Sequence, residues 1–197
     1  MKTKKLIISK LYILYNKNRN GKIKYDYGIY EGEINNYQRE GIGKIQFNDN
    51  YVIKRILNND KIEGYETYDY NNGDRYEGEF KNDKIEGYGI LYLSNGDKYE
   101  GQFKNDKIEG CGIYYFYNGN KYEGQFKNGN REGYGIFYNS NGRYEGKFKN
   151  NIIEGFGIYY NNYRNKYEGE LKNLKFEGFG IFYLSNGDRY KGKFING

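Results

Sequence analysis

Of the side chains that most often form compact catalytic or metal sites, this 197-residue chain has 26 Asp and Glu, a single cysteine and no histidine. Without histidine there is no Ser-His-Asp or Cys-His arrangement and no His-bearing zinc site. Cys111 stands alone, which excludes a disulfide framework and a Cys-rich metal cluster. What remains is a carboxylate pair working as general acid and base. The glutamates, however, recur at a fixed interval, in Tyr-Glu-Gly and in Glu-Gly-x-Gly. A group repeated along the whole chain holds structure rather than forming one active centre. The chain is read as non-catalytic, with no cofactor and no metal expected.

Binding chemistry is better supplied. The 27 tyrosines and 12 phenylalanines offer apolar rings, many with a polar tip. Charge is unevenly placed. Residues 1–25 carry Lys2, Lys4, Lys5, Lys10, Lys17, Arg19, Lys22 and Lys24 without an acid, leaving 24 basic against 26 acidic side chains, a net −2, for the remainder. The near-neutral body gives no electrostatic basis for nucleic-acid binding. The basic segment is different. Ile7, Leu11, Leu14 and Tyr15 share a face at helical spacing beside lysines, a pattern that can lie on an anionic membrane. Lys2, Lys4, Lys5, Lys10, Lys17 and Arg19 are the lipid-binding candidates of that reading. The same residues also read as a strand capping a sheet. The apolar run from Leu6 to Tyr15 is interrupted by Lys10 and far short of a membrane span. No small-residue cleavage site follows it, and a cytoplasmic location is expected.

The elements that position these residues are set by composition and repetition. There is no Ala and no Pro, one residue in five is aromatic, and Gly numbers 29. Helices have little to build from, whereas Tyr, Phe and Ile beside Gly and Asn favour strands and tight turns. A mean hydropathy of −1.08 would suit disorder, but disordered chains are poor in aromatics. Aligning Tyr-Glu-Gly and its variants places Tyr30, Tyr76, Tyr99, Tyr122, Tyr144, Tyr167 and Tyr190 in register, with intervals of 46, 23, 23, 22, 23 and 23. The double interval holds a decayed unit, 53–75, in which Arg55 and Glu66 replace glycines. Residues 190–197 form a half unit.

A unit reads Tyr76-Glu-Gly78-Glu-Phe80, five residues, then Glu86-Gly87-Tyr88-Gly89. This pattern on a 23-residue period resembles the MORN (membrane occupation and recognition nexus) repeat, over roughly residues 30–197. The family often places Trp where this chain has Phe80, Phe103, Phe126, Phe148 or Phe194. The resemblance implies a scaffold in cytoskeletal or membrane-associated assemblies, or a regulator of a separate enzyme.

Each unit accommodates two strands, so the expected fold is all-β: an elongated, single-layer antiparallel ribbon of β-hairpins, a MORN-type solenoid. Residues 1–29 are an N-terminal segment, and 30–197 hold about seven and a half units. A four-residue turn at 82–85 would pair Lys81 with Glu86. One face then carries Tyr76, Gly78 and Phe80 opposite Leu91, Gly89 and Gly87, and the other carries Glu77, Glu79 and Lys81 opposite Ile90, Tyr88 and Glu86. Lys104–Glu109, Lys127–Glu132, Lys149–Glu154 and Lys172–Glu177 would repeat the Lys–Glu pairing. Glycine in mid-strand marks a close approach to the backbone, here by an aromatic ring. The aromatic face, Tyr76, Phe80, Tyr99, Phe103, Tyr122, Phe126, Tyr144, Phe148 and Tyr167, supplies the protein-binding candidates, with internal packing of the ribbon as its other use. Cys111 takes the slot of Tyr88, Tyr134, Phe156 and Phe179, as a small apolar substitute. The expected function is a non-catalytic scaffold binding a protein partner, with homodimerisation through an unpaired edge. The alternative is peripheral binding of anionic phospholipid through the basic N-terminal segment.

Overall fold

The computed structural model describes residues 13–15, 20–48 and 52–195. Among them there are eighteen strands and no helix. Strands β1 (Ile13–Tyr15), β2 (Asn20–Tyr25), β3 (Gly28–Asn35), β4 (Gln38–Phe47), β5 (Val52–Asn58) and β6 (Lys61–Ile62) form one antiparallel sheet in sequence order. A second sheet holds β7 (Gly64–Asp69), β8 (Arg75–Lys81), β9 (Lys84–Tyr92), β10 (Lys98–Lys104), β11 (Lys107–Tyr115), β12 (Lys121–Lys127), β13 (Asn130–Asn139), β14 (Gly142–Lys149), β15 (Ile152–Asn161), β16 (Lys166–Lys172), β17 (Lys175–Tyr183) and β18 (Arg189–Phe194), again in order. Every strand pairs only with its chain neighbours, and neither sheet closes on itself. The chain divides into two compact units, residues 1–66 with 78–85 and residues 67–77 with 86–197. The sheets part within the decayed repeat.

Residues Lys2, Lys4, Lys5, Lys10, Lys17 and Arg19 lie outside the described residues. Between Lys10 and Lys17, Ile13–Tyr15 pairs with Gly21–Ile23 as an antiparallel strand. The first unit centres on Ile23, Tyr25, Tyr30, Ile34, Ile45 and Leu57, all buried.

The hairpins differ from expectation near their turns. Lys104 pairs with Lys107, not with Glu109, so the turn has two residues, Asn105 and Asp106. Both adopt left-handed φ, 49° and 64°, the geometry whose twist matches the flanking strands. Asn and Asp tolerate that region better than other non-glycine residues. The two residues removed from the turn reappear as a bulge: between Gly101↔Gly112 and Phe103↔Ile108, Gln102 faces Glu109, Gly110 and Cys111. Gly110 has φ +67° in this bulge, and the Gln102 side chain closes over it. A shift of two residues preserves the face of every side chain beyond it. The expected Gly–Gly and Tyr pairings therefore hold, as Gly101↔Gly112 and Tyr99↔Tyr114, while the Lys–Glu pairings near the turn do not form.

Candidate functional site

The tyrosines that open each unit lie flat over the paired glycines. A Cβ at Gly112 would sit against the Tyr99 ring, and one at Gly135 against the Tyr122 ring. In the full units each ring is thereby sealed: Tyr76, Tyr99, Tyr122 and Tyr167 are 0% exposed and Tyr144 1%, whereas Tyr190 of the half unit is exposed. The hydroxyls are satisfied within the unit. Tyr99 Oη donates to the Gln102 carbonyl at 3.0 Å, Tyr122 Oη to Gln125 at 3.0 Å and Tyr167 Oη to Glu170 at 3.0 Å. Burial pushes the pKa of Tyr30, Tyr122 and Tyr144 up to about 12. The phenylalanines stand edge-on between successive tyrosines. Phe103 meets Tyr76 at 5.1 Å and Tyr99 at 5.2 Å, and Phe126 meets Tyr99 at 5.0 Å and Tyr122 at 5.1 Å. Edge-to-face contacts contribute about 0.5–1.5 kcal/mol each beyond the area they bury.

This corrects the expected partner surface. Tyr76, Phe80, Tyr99, Phe103, Tyr122, Phe126, Tyr144, Phe148 and Tyr167 are all buried. Their ring surface is committed to the glycine backbone and to one another, and among them Phe126 alone edges a pocket, beside Arg131.

The opposite face carries what the aromatic pattern concealed. The central residue of each Glu-Gly-x-Gly points to solvent: Tyr88 is 58% exposed, Tyr134 66%, Phe156 68% and Phe179 72%, with Cys111 exposed in the same column. In the first unit Ile42 and Tyr65 hold the equivalent position and are also exposed. The polar partners between them are Gln102 opposite Tyr88, Gln125 opposite Cys111, Lys147 opposite Tyr134 and Glu170 opposite Phe156. Gln102 Oε1 accepts the Cys111 amide at 2.8 Å, which fixes the bulge beside the column. The signal was present in the sequence, since the expected register put Tyr88 among charged residues. Further along the same face, Lys98, Lys121, Arg143 and Lys166 lie over Tyr115, Tyr138, Tyr160 and Tyr183 at 4.3–4.4 Å, while each also pairs with the glutamate two residues on.

The recurring glutamates are explained by the turns. The first Glu of Glu-Gly-x-Gly accepts the backbone amide that opens the next unit's turn: Glu86 from Asn105 at 3.0 Å, Glu109 from Asn128 at 3.3 Å and Glu132 from Asn150 at 2.9 Å. These carboxylates lace one repeat to the next. Among the described residues no group of three His, Cys, Asp or Glu could hold a metal ion.

The decayed unit resolves in the same terms. Arg55 and Glu66, in the two glycine positions, form a buried ion pair at 3.3 Å, and Glu66 also accepts the Ile56 amide at 2.6 Å.

Comparison with known proteins bears on these repeats. No curated protein matches the chain at a significant level. Among solved structures it is similar to the SAS-4 (dCPAP) TCP domain of Drosophila melanogaster, solved in complex with a proline-rich motif of Ana2 (dSTIL). The identity is 11%, over 92% of this chain and 88% of that one, with a TM-score of 0.36. It is also similar to a virginiamycin B lyase from Staphylococcus aureus solved with quinupristin, at 16% identity over 93% of this chain and 59% of that one, TM-score 0.18. Likenesses of this order carry no argument about fold or function. The MORN repeat profile matches residues 30–50, 76–98, 99–121, 122–142, 144–163 and 167–189, passing over the decayed unit. With its tyrosine–glycine ladder, its Glu-Gly-x-Gly bulges and six matched repeats, the chain belongs to the MORN repeat family, whose repeats generally mediate protein–protein or membrane interactions and are generally non-enzymatic.

Proposed function

We propose that this protein is a non-catalytic scaffold that binds a protein partner through the exposed column formed by Tyr88, Tyr134, Phe156 and Phe179. The supporting observation is the division of labour between the two faces. One set of rings is 0–7% exposed and the other is 58–72% exposed, at one position per repeat. Rings held on a hydrogen-bonded sheet present large contact area at low entropic cost, as binding hot spots do. The lone Cys111 interrupts the column. A second copy of the chain is one partner the reading admits, and a cytoskeletal or membrane-associated assembly is its expected setting.

The test uses the full chain and a Tyr134→Ser, Phe156→Ser, Phe179→Ser variant, compared as affinity baits and by sedimentation equilibrium. The reading expects partners, or self-association, that the wild type shows and the folded variant loses. Equal retention by both would contradict it.

A second reading rests on the eight basic side chains of residues 1–25: peripheral binding to anionic phospholipid, at about 1 kcal/mol per lysine near the surface. Co-sedimentation with anionic vesicles should weaken in moderate salt and vanish for a chain beginning at Asp26. Equal binding by the shortened chain would end this reading.

A further inference from the structure

The first core position of each return strand faces the ring or leucine of the outgoing strand. Ile108 faces Phe103, Ile153 faces Phe148 and Phe176 faces Leu171. Two units place an arginine there: Arg39 opposite Ile34 and Arg131 opposite Phe126. Each reaches the second turn residue of the following unit. For Arg39 that residue is Asp60. The Arg39 amide and Nε both donate to Asp60 Oδ1, at 2.9 and 3.0 Å, and Nη2 donates to the Asp60 carbonyl at 3.0 Å. For Arg131 it is Asn151. The amide donates to Asn151 Oδ1 at 2.8 Å and Nη2 to the Asn151 carbonyl at 2.8 Å, with an amide side chain where the first unit has a carboxylate. Among the ion pairs of the described residues Arg39 has a carboxylate and Arg131 has none.

Arg131 is instead surrounded by rings. Its guanidinium carbon lies 5.4–5.7 Å from the centroids of Phe116, Tyr122, Phe137 and Phe148. Burial holds its pKa below the ordinary guanidinium value, yet the group stays charged at any physiological pH. Beside it opens a pocket of about 230 Å³ lined by Tyr114, Phe116, Phe126, Gly129, Arg131 and Asn151. Asp97 forms no ion pair with it: one oxygen of that carboxylate accepts the Tyr114 hydroxyl at 2.8 Å and the other the Tyr117 amide at 2.8 Å.

We propose that this pocket is a binding site for a carboxylate carried on an apolar body, with Arg131 as its anchor. The planar guanidinium matches a carboxylate through paired hydrogen bonds, and the aromatic walls take the apolar part. A doubly charged phosphate would surrender more hydration to a pocket offering one cation. The site supplies from outside the group that Asp60 supplies to Arg39 from within the chain.

The internal comparison provides the experiment. The isotopically labelled full chain is titrated with 3-phenylpropionate, with its neutral amide and with inorganic phosphate, following the Gly129 and Asn151 amides and the Arg131 Nε–H by NMR. Wild type should show saturable shifts with 3-phenylpropionate only. Arg131→Ile installs the residue other repeats carry, and Asn151→Asp installs an internal counter-ion. Both should weaken binding at least tenfold, and Asn151→Asp should also raise the melting temperature. The absence of saturable shifts, equal shifts with the neutral amide or with phosphate, or undiminished binding by Asn151→Asp would each overturn the proposal.

Discussion

At the scale of single residues, the fold depends on contacts between tyrosine rings and bare glycine backbone. Gly112 has ordinary φ, so what forbids a side chain there is the Tyr99 ring and not strain. Gly112→Ala should therefore cost about 1–3 kcal/mol, the range for overpacking a closed site, whereas Cys111→Ala, next to it on the exposed face, should stay within about 0.5 kcal/mol. Urea midpoints of the two variants measure the contrast. The same burial sets the alkaline limit. Tyr30, Tyr122 and Tyr144 keep their protons up to about pH 12 when folded, against about 10 in the unfolded chain. Their folded pKa is raised, so the unfolded state loses protons first. Stability should be unaffected by these groups below about pH 10 and fall steadily between about 10 and 12, as thermal melts across that range would show. The glycine–tyrosine pairing was legible in the sequence because two mid-strand glycines per unit need a reason. Which face of the sheet remained open was not, because tyrosine serves equally as a packed ring and as a binding ring.

At the scale of the hairpin, turn and bulge act together. The Asn-Asp and Asn-Gly turns were visible as turn residues, but their length was not, since Asn82 to Ile85 fit a four-residue loop as readily as a two-residue turn entering the return strand. The difference has a consequence for the glutamates. In the four-residue loop Glu109 would pair with Lys104; in the actual hairpin it reaches the next unit's turn and accepts the Asn128 amide. Glu86→Ala removes the corresponding acceptor from the Asn105 amide. It should cost about 0.5–1.5 kcal/mol, and faster hydrogen exchange should appear at Asn105, one repeat away from the substitution. Exchange accelerated only around residue 86 would contradict a lace between repeats.

At the scale of the whole chain, repetition and its interruptions are both informative. The family profile passes over residues 51–75, and there Arg55 and Glu66 replace two glycines with a buried ion pair. The compensating pair was not foreseeable from sequence, because its members lie eleven positions apart and only the fold brings them together. Removing one partner of such a pair typically costs about 3–5 kcal/mol, more than replacing both by apolar residues. Glu66→Ala should thus destabilise the first unit more than the Arg55→Met, Glu66→Leu double variant, with exchange at the Ile56 amide as the local readout.

The central claim is that the opening tyrosines and the central residues of Glu-Gly-x-Gly divide between a sealed ladder and an open column. Hydroxyl-radical footprinting of the full chain, read by mass spectrometry, addresses it most directly. Tyr88, Tyr134, Phe156 and Phe179 should be oxidised readily while Tyr76, Tyr99, Tyr122, Tyr144 and Tyr167 are protected, and a bound partner should shield the first set alone. Ready oxidation of the tyrosine ladder, or a partner that shields it and leaves the open column reactive, would contradict the account.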